Sequence, residues 1–249
     1  MTAAIFERSH ILLGDAGIAR LQASHVLLAG LGGVGSYAAE ALARAGVGRL
    51  TLIDHDEVAP SNLNRQLPAL HSTLGRPKRD VVAERIADIH PDCQVIRVGT
   101  FLDPDNLSDY LIGPLDFVLD AIDSLSSKAA LVASAHAAGI PVISSQGAGG
   151  RLDPTRLRIT DLMDTRVCPL ARALRTYLRR RGVGRGILAV WSDEPPHPPL
   201  PPQPLARGRA RAVNGTVSYL PALFGLTLAG EAIRRIARGE TRNPKETPG

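Results

Sequence analysis

The chain has 249 residues and a mass of 26.4 kDa, enough for one large domain or two small ones. Its 44% hydrophobic content supports a sizeable buried core, and its 4% aromatic content argues against a base-stacking platform for single-stranded nucleic acid. The two cysteines, Cys93 and Cys168, exclude a disulfide scaffold and form no Cys-x-x-Cys pair. No zinc site is therefore expected.

The net charge of +5 is unevenly distributed along the chain. Residues 1–150 carry 11 Lys+Arg against 16 Asp+Glu, a net −5, whereas residues 151–249 carry 18 against 8, a net +10. A basic half is typical of a surface that binds a polyanion such as RNA, because neutralised phosphates release counterions. Arginine-rich codon usage is the alternative explanation, since only three of the basic residues are lysines.

The N-terminus lacks a basic segment followed by an apolar one, so secretion is not indicated and a cytoplasmic location is expected. The longest uncharged stretch runs from Ala212 to Gly230, and Asn214, Gly215, Pro221 and Gly225 interrupt it. No stable membrane span is expected there, although a loose membrane association through this stretch stays open.

Short apolar runs alternate with helical patterns over the first 150 residues. Strands are predicted at His25–Gly30, Arg49–Asp54, Gln94–Val98, Asp116–Ala121 and Pro141–Ser145, and helices at Val34–Ala45, Lys78–His90 and Lys128–Ala138. This alternation predicts an α/β fold with a Rossmann-like, mainly parallel sheet flanked by helices.

A C-terminal extension is expected to add further strands and helices. Strands are predicted at Leu157–Thr160 and Ile187–Trp191, and helices at Pro169–Arg181 and Leu220–Ala237. Pro195–Pro204 holds seven prolines in ten residues and is expected to be a stiff extended loop rather than a core element. Thr241–Gly249 is expected to be a flexible tail.

A glycine-rich turn follows the first predicted strand and opens a helix. It contains Gly30, Gly32, Gly33 and Gly35, and backbone N–H groups in such a position cradle phosphates. Asp54 ends the second strand, 24 residues after Gly30, where a carboxylate accepts hydrogen bonds from ribose hydroxyls. The turn predicts a nucleotide site; the alternative is that the glycines only permit tight strand–helix packing. The turn alone does not distinguish NAD from ATP.

The following loop favours ATP. A triphosphate carries more charge than amides alone satisfy, and Arg65 supplies a fork of donors while Lys78 supplies a point charge. Asp123, at the end of a strand, is positioned to hold Mg²⁺. Arg65 or Lys78 alone could equally be a solvated surface charge. The occurrence of both together with the glycine-rich turn favours ATP.

These motifs resemble the ubiquitin-activating-enzyme-type adenylation domain, a superfamily that includes bacterial enzymes that adenylate sulfur-carrier proteins. The resemblance spans residues 8–150 and implies a homodimer in which Arg8 reaches into the partner subunit's nucleotide site. The catalytic residues that it implies are Arg8, Arg65, Lys78 and Asp123. The implied ATP-binding residues are Gly30, Gly32, Gly33, Gly35, Asp54, Asp56, Ser61, Asn62, Asn64, Arg65, Lys78, Asp123 and Ser124, with Mg²⁺ held on Asp123.

The second half resembles the tRNA threonylcarbamoyladenosine dehydratase branch of that superfamily. It lacks the paired Cys-x-x-Cys motifs of sulfur-carrier-adenylating enzymes and carries Gly147-Ala-Gly149-Gly150-Arg151-Leu-Asp153-Pro154. The branch implies ATP-dependent dehydration of the threonylcarbamoyl group on adenosine 37 of tRNA, with release of AMP and pyrophosphate. Residues 1–150 would then form the adenylation core and residues 151–240 a basic, tRNA-facing extension of the same domain.

Three other functions are weighed against this one. The runner-up is adenylation of a ubiquitin-like sulfur-carrier protein, and a cysteine desulfurase or sulfur-acceptor protein is kept as a further partner. A non-catalytic adaptor is disfavoured because Arg65, Lys78 and Asp123 are all present. An NAD oxidoreductase is disfavoured because no Ser-Tyr-Lys or His-Asp arrangement follows the turn.

Substrate contacts are predicted less sharply. Lys128 is interpreted as a contact to substrate or phosphate, or as a surface lysine at a helix start. Gly147, Gly149 and Gly150 would let the modified base approach closely, or would only form a permissive turn. Arg179, Arg180 and Arg181 would bind tRNA, or would form a solvated face. Cys168 stands where the branch pattern suggests an acidic residue, and no neighbouring base argues for a reactive thiolate.

Overall fold

The computed structural model describes residues 4–203 and 211–241, with backbone only at residues 202, 203 and 211–213. Its helices are α1 (Glu7–Ala23), α2 (Gly35–Ala45), α3 (Lys78–Ile89), α4 (Leu125–Ala137), α5 (Pro169–Arg179) and α6 (Tyr219–Arg238). Its strands are β1 (His25–Ala29), β2 (Arg49–Ile53), β3 (Gln94–Val98), β4 (Phe117–Asp120), β5 (Val142–Ser145), β6 (Leu157–Asp161), β7 (Leu188–Ser192), β8 (Leu200–Gln203) and β9 (Arg211–Val213).

Seven strands form one sheet in the order β3-β2-β1-β4-β5-β7-β6. Neighbouring strands are parallel except β6, which runs antiparallel to β7. The chain reverses its direction across the sheet between β1 and β4, and in open α/β sheets ligands bind beside the carboxyl ends of strands at such a point. The prediction of a mainly parallel α/β fold is confirmed.

Both faces of the sheet are buried, which explains the nearly continuous apolar run of β1. Val26 and Leu28 belong to one hydrophobic cluster, with side chains of α1, α2, α3 and α6. Leu27 and Ala29 belong to a second cluster, with side chains of α4 and α5. The first cluster contains residues from both ends of the chain, so the extension beyond residue 150 completes the core that the first half begins.

Helix ends follow the local sequence. α2 ends at Gly46, whose φ of 92° is a left-handed conformation that glycine adopts without penalty. Pro169 opens α5, where its missing N–H costs nothing. Along α5, Leu174 and Leu178 are buried while Arg172 and Arg179 are exposed, as the apolar spacing predicts.

Three features differ from the sequence-based expectation. α1 was not predicted, because its apolar residues form no clear helical stripe: Ile11 and Leu12 are exposed. α4 begins at Leu125, one turn before the predicted start at Lys128. The proline-rich segment is extended as expected, but Leu200–Gln203 pairs with Arg211–Val213 as a two-stranded antiparallel sheet. The expected tail lies outside the described residues after Thr241.

No helix in the described part of the chain is long and apolar enough to cross a membrane.

Candidate active site

A cavity of about 760 Å³ lies at the carboxyl ends of the central strands. Residues that follow β1, β2, β4 and β5 line it, together with residues of the proline-rich segment and the start of α6. Both halves of the chain therefore contribute to one site, large enough for a nucleotide and part of a second substrate.

The glycine-rich turn forms one wall of the cavity. Gly30, with φ of 89°, lies so close to the end of β4 that a Cβ atom would be 2.7 Å from the carbonyl oxygen of Ala121. A Cβ at Gly35 would be 1.7 Å from the Gly30 oxygen, so Gly35 allows the start of α2 to pack closely against the turn. Gly32 and Gly33 line the cavity, and their N–H groups find no acceptor in the described chain. This wall fits a phosphate group.

Asp54 lies at the end of β2, beside the turn. Its carboxylate accepts hydrogen bonds from the N–H groups of Leu31 at 2.6 Å and Asp56 at 2.8 Å. Burial raises its pKa, and the positive charge of Lys78 and these two N–H groups act in the opposite direction. The carboxylate thus fixes the turn and remains at the cavity surface, as a ribose acceptor must.

Lys78 is the first residue of α3 and is only 4% exposed. Its Nζ donates to Oδ2 of Asp56 at 2.8 Å, and both residues line the cavity. A buried ammonium with one carboxylate partner retains two donors, so the pair can present a positive charge to a phosphate.

Arg65 lines the cavity next to the glycine turn, with its Cγ 3.5 Å from the position of a Cβ on Gly33. One terminal nitrogen donates to the Ser61 carbonyl at 2.9 Å and to Asn64 Oδ1 at 2.9 Å. Asn62 is buried and accepts from the Ala59 N–H at 3.1 Å. Ser61, Asn62 and Asn64 do not line the cavity in the described chain; they shape the loop that presents Arg65.

Asp123 and Ser124 follow β4, the strand next to β1, and line the cavity. Asp123 is exposed, so its carboxylate is accessible to an ion. Among the described residues, the His/Cys/Asp/Glu side chains grouped closely enough to share an ion are Asp54, His55 and Asp56. The assignment of Mg²⁺ to Asp123 stays a prediction.

The strand that follows, β5, brings its own residues to the cavity. Gly147 and Gly149 line it, whereas Gly150 lies behind it, bonded through its N–H to Gly215 O at 2.7 Å. Lys128 is fully buried below the cavity, with Nζ 2.6 Å from Asp120 Oδ2 and 2.8 Å from the Ser145 carbonyl. The interpretation as a surface lysine is therefore wrong, whereas a contact of Lys128 to substrate or phosphate stays a prediction.

The remaining predicted residues lie outside the cavity. Arg8 is exposed on α1. Arg179, Arg180 and Arg181 are exposed at the end of α5, where the guanidinium of Arg181 stacks 3.8 Å from the ring centroid of Tyr177.

Several residues that line the cavity were missed by sequence reasoning. Gln66, Ser127, Gln146 and Arg151 are buried polar side chains, each with an atom that has no partner in the described chain. His197 and its neighbouring prolines close the far side. Two features of the sequence could have indicated them. Arg151 directly follows the glycine-rich run 147–150, and the prolines of Pro195–Pro204 keep that segment extended.

The glycine turn, the carboxylate of Asp54 and the buried ammonium of Lys78 lie together at the carboxyl ends of the strands. This arrangement defines the protein as a nucleotide-binding α/β protein. The model of the ThiF family matches residues 6–248, and the chain belongs to this family. The chain is 38% identical to the tRNA threonylcarbamoyladenosine dehydratase of Bacillus subtilis over 235 residues, 92% of each chain. It is also similar to the crystal structure of the Escherichia coli tRNA N6-threonylcarbamoyladenosine dehydratase in complex with ATP, with a TM-score of 0.85, 37% identity and 94% of each chain covered.

Other relatives match only part of the chain. The molybdopterin-synthase adenylyltransferase of E. coli is 40% identical over 133 residues, 53% of this chain and 52% of that protein. The dehydratases therefore match both halves of the chain, whereas the adenylyltransferase matches only about half of it.

Proposed function

We propose that this chain is an ATP-dependent tRNA threonylcarbamoyladenosine dehydratase. The observation that carries the proposal is the joint construction of the cavity: the adenylation half supplies the glycine turn, Asp54 and Lys78, and the second half supplies the wall at His197. Relatives of this name match along nearly the whole length of the chain.

The first step needs charge neutralisation more than acid–base chemistry. The threonyl carboxylate is ionised at neutral pH, so it attacks the α-phosphorus of ATP without a general base. A carboxyl oxygen–phosphorus bond forms, the bond to the bridging oxygen breaks, and pyrophosphate leaves. Lys78 and Arg65 stabilise the charge on the leaving group, and the amides of Gly32 and Gly33 hold the phosphate in position.

The second step is intramolecular. The carbamoyl group of the same substrate attacks the activated carbonyl carbon, AMP leaves with one former carboxyl oxygen, and the ureido group loses a proton. The net change is loss of one water from the nucleoside. No protein nucleophile is required.

Mg²⁺ fits an exposed carboxylate at the phosphate end of the cavity, and we assign it to Asp123. When bound, it would neutralise phosphate charge. Asp123 would orient the ion, and Ser124 would hold the strand end beside it. Cys93 and Cys168 are both free and buried, and they lie in different hydrophobic clusters. This placement supports an enzyme without zinc.

Two partners complete the proposal. We propose that the basic segment 151–240 faces tRNA, with Arg179, Arg180 and Arg181 on phosphates, because these side chains are exposed and outside the cavity. We also propose a homodimer in which Arg8 completes the partner subunit's nucleotide site. A cytoplasmic location follows from tRNA as substrate, and a sulfur-transfer partner stays a prediction.

The test is incubation of the protein with ATP, Mg²⁺ and tRNA that carries the threonylcarbamoyl group, followed by mass spectrometry of the nucleosides. The expected product is the modified nucleoside less one water, with AMP released. Pyrophosphate exchange stimulated by a ubiquitin-like carrier protein, with the nucleoside unchanged, would favour the runner-up function instead.

A further inference from the structure

Buried polar atoms without partners are concentrated at the cavity. Five such side-chain atoms occur in the described chain, and four of them belong to residues that line the cavity: Gln66 Oε1, Ser127 Oγ, Gln146 Oε1 and Arg151 Nη2. Folded proteins seldom leave buried polar atoms unsatisfied, because each such atom loses its hydrogen bonds to water without a replacement. Their clustering therefore points to ligand atoms that pair with them.

The orientation of Gln146 is fixed from below. The hydroxyl of Ser144 donates its single proton to Asp120 Oδ2 at 2.5 Å, and Lys128 Nζ holds the same oxygen at 2.6 Å. Ser144 Oγ must then accept from its other neighbours, Gln146 Nε2 at 2.9 Å and Lys128 Nζ at 3.4 Å, and Gln146 Nε2 also donates to the Ser144 carbonyl at 3.2 Å. The amide nitrogen of Gln146 consequently faces the protein, and the amide oxygen is the free atom. Gln146, which lines the cavity and is 3% exposed, thus carries a fixed acceptor that has no partner in the described chain.

Arg151 offers the cavity a fixed cation. It is also 3% exposed, and its partners in the described chain are backbone carbonyls: those of Glu194 at 3.1 Å, Gly149 at 3.2 Å and Gly147. No carboxylate of the described chain pairs with the guanidinium. A buried charge is costly without a counter-ion, so the ligand opposite Nη2 is expected to be an anion.

The sheet order places Gln146 two strands beyond the glycine turn, on the side away from Asp54. Asp54 follows β2, the glycine turn follows β1, Asp123 follows β4 and Gln146 follows β5, and these strands are consecutive in the sheet. Lys78 and Arg65, the cations assigned to pyrophosphate, lie on the β2 and β1 side. Attack at phosphorus proceeds in line with the leaving group, so the nucleophile approaches from the β5 side.

We propose that Gln146 and Arg151 form the subsite for the threonylcarbamoyl group, with Arg151 Nη2 on the carboxylate and Gln146 Oε1 on a ureido N–H. The two free atoms, one cationic donor and one acceptor, complement the anion and the N–H donors of that group. Because three carbonyls fix the position of the guanidinium, the guanidinium holds the threonyl carboxylate at a fixed point. This assignment rests on the proposed function.

The experiment compares inhibition of tRNA dehydration by two free nucleosides, N6-threonylcarbamoyladenosine and its carboxamide analogue. Wild-type protein is expected to prefer the acid by about 10-fold or more, since hydrogen bonds to charged groups are stronger than hydrogen bonds to neutral ones. Arg151→Gln is expected to abolish the preference and to lower kcat/KM for the tRNA about 10-fold or more, while the Kd for ATP measured by calorimetry stays within about threefold. Arg151→Lys, which keeps the charge, is expected to retain part of the preference.

A matched control and a second variant keep the test decisive if Arg151→Gln does not fold. Arg156→Gln removes a nearby arginine that pairs with Asp193, and no change in the preference is expected. Gln146→Leu removes the acceptor at nearly constant volume and is expected to raise KM for the tRNA with an unchanged Kd for ATP. If Arg151→Gln still prefers the acid, the assignment is overturned. If Arg151→Gln does not fold, an unchanged KM for the tRNA in Gln146→Leu overturns the assignment instead. So would a loss of ATP affinity as large as the loss of tRNA turnover. If wild-type protein leaves the nucleoside unchanged, the proposed function itself fails.

Discussion

Lys78 Nζ lies 2.8 Å from Asp56 Oδ2, with the lysine buried and the carboxylate half exposed at the edge of the cavity. The two residues are 22 positions apart, and β2 and α3 bring them together. The carboxylate orients the ammonium without enclosing it. Lys78 is therefore a cation held in place before any phosphate arrives.

Lys78→Ala is expected to lower the dehydration rate by about 100-fold or more, because a preorganised charge at a leaving group contributes on the order of 3–4 kcal/mol. The melting temperature should change little, since the remaining Asp56 is accessible to water. Single-turnover assays with nucleoside mass spectrometry measure the rate. Arg76→Ala, two residues earlier and paired with Glu84 outside the cavity, is the control. A rate within threefold of wild type would remove Lys78 from the mechanism.

The position of Arg8 can be tested by mixing two inactive variants. If Arg8 acts in the partner's site, a heterodimer of Arg8→Ala and Lys78→Ala subunits contains one intact site. Random exchange should then restore about one quarter of the wild-type activity. Size-exclusion chromatography with light scattering verifies the dimer first. No recovery in a mixture that has exchanged subunits would show that Arg8 does not act across the interface.

Replacement of Arg179, Arg180 and Arg181 by glutamine is expected to weaken tRNA binding and to lower the slope of log Kd against log salt by up to about three. Filter binding at several salt concentrations measures both quantities. The matched control is Arg44, Arg76 and Arg85 replaced together, three arginines of the acidic half that are exposed or partly exposed and pair with glutamates. Equal affinity and slope in the first variant would make this end of α5 a solvated face.

Acid should destabilise the fold through His90. Burial lowers the pKa of this ring, which packs edge-to-face on Phe6 with centroids 5.2 Å apart. The unfolded chain takes up a proton near pH 6.5 while the folded chain resists it, so the free energy of unfolding falls as the pH drops below about 6.5. His90→Phe should show a shallower decline in chemical denaturation, and His71→Phe, at an exposed position, should not. Parallel curves for His90→Phe and wild type would refute this linkage.

The sequence was informative where a site residue follows β1 or β2 and belongs to a local motif. The buried run of β1, the glycines after it and Asp54 at the end of β2 form a local pattern whose geometry is fixed by the parallel sheet. Lys78 was predicted for a related reason, since it opens a helix next to that pattern. These residues needed no knowledge of distant contacts.

The rest of the site depends on contacts between distant segments. The interpretation of Lys128 as a surface lysine fails because its partner Asp120 lies in a strand whose burial on both faces is a property of the whole sheet. Gln146 acquires its free acceptor only through Ser144 and Asp120. Arg151 becomes a buried cation because residues near Glu194 fold over it. Neither spacing nor composition contains this information.

The formation of a mixed anhydride between the substrate carboxylate and AMP is tested most directly by isotope transfer. The modified tRNA is prepared with heavy oxygen in both threonyl carboxylate positions and incubated with the enzyme, ATP and Mg²⁺. Mass spectrometry of the released nucleotide should find one heavy oxygen in each AMP. Heavy oxygen in inorganic phosphate, with ADP as the nucleotide product, would instead place the attack at the γ-phosphorus and contradict adenylation.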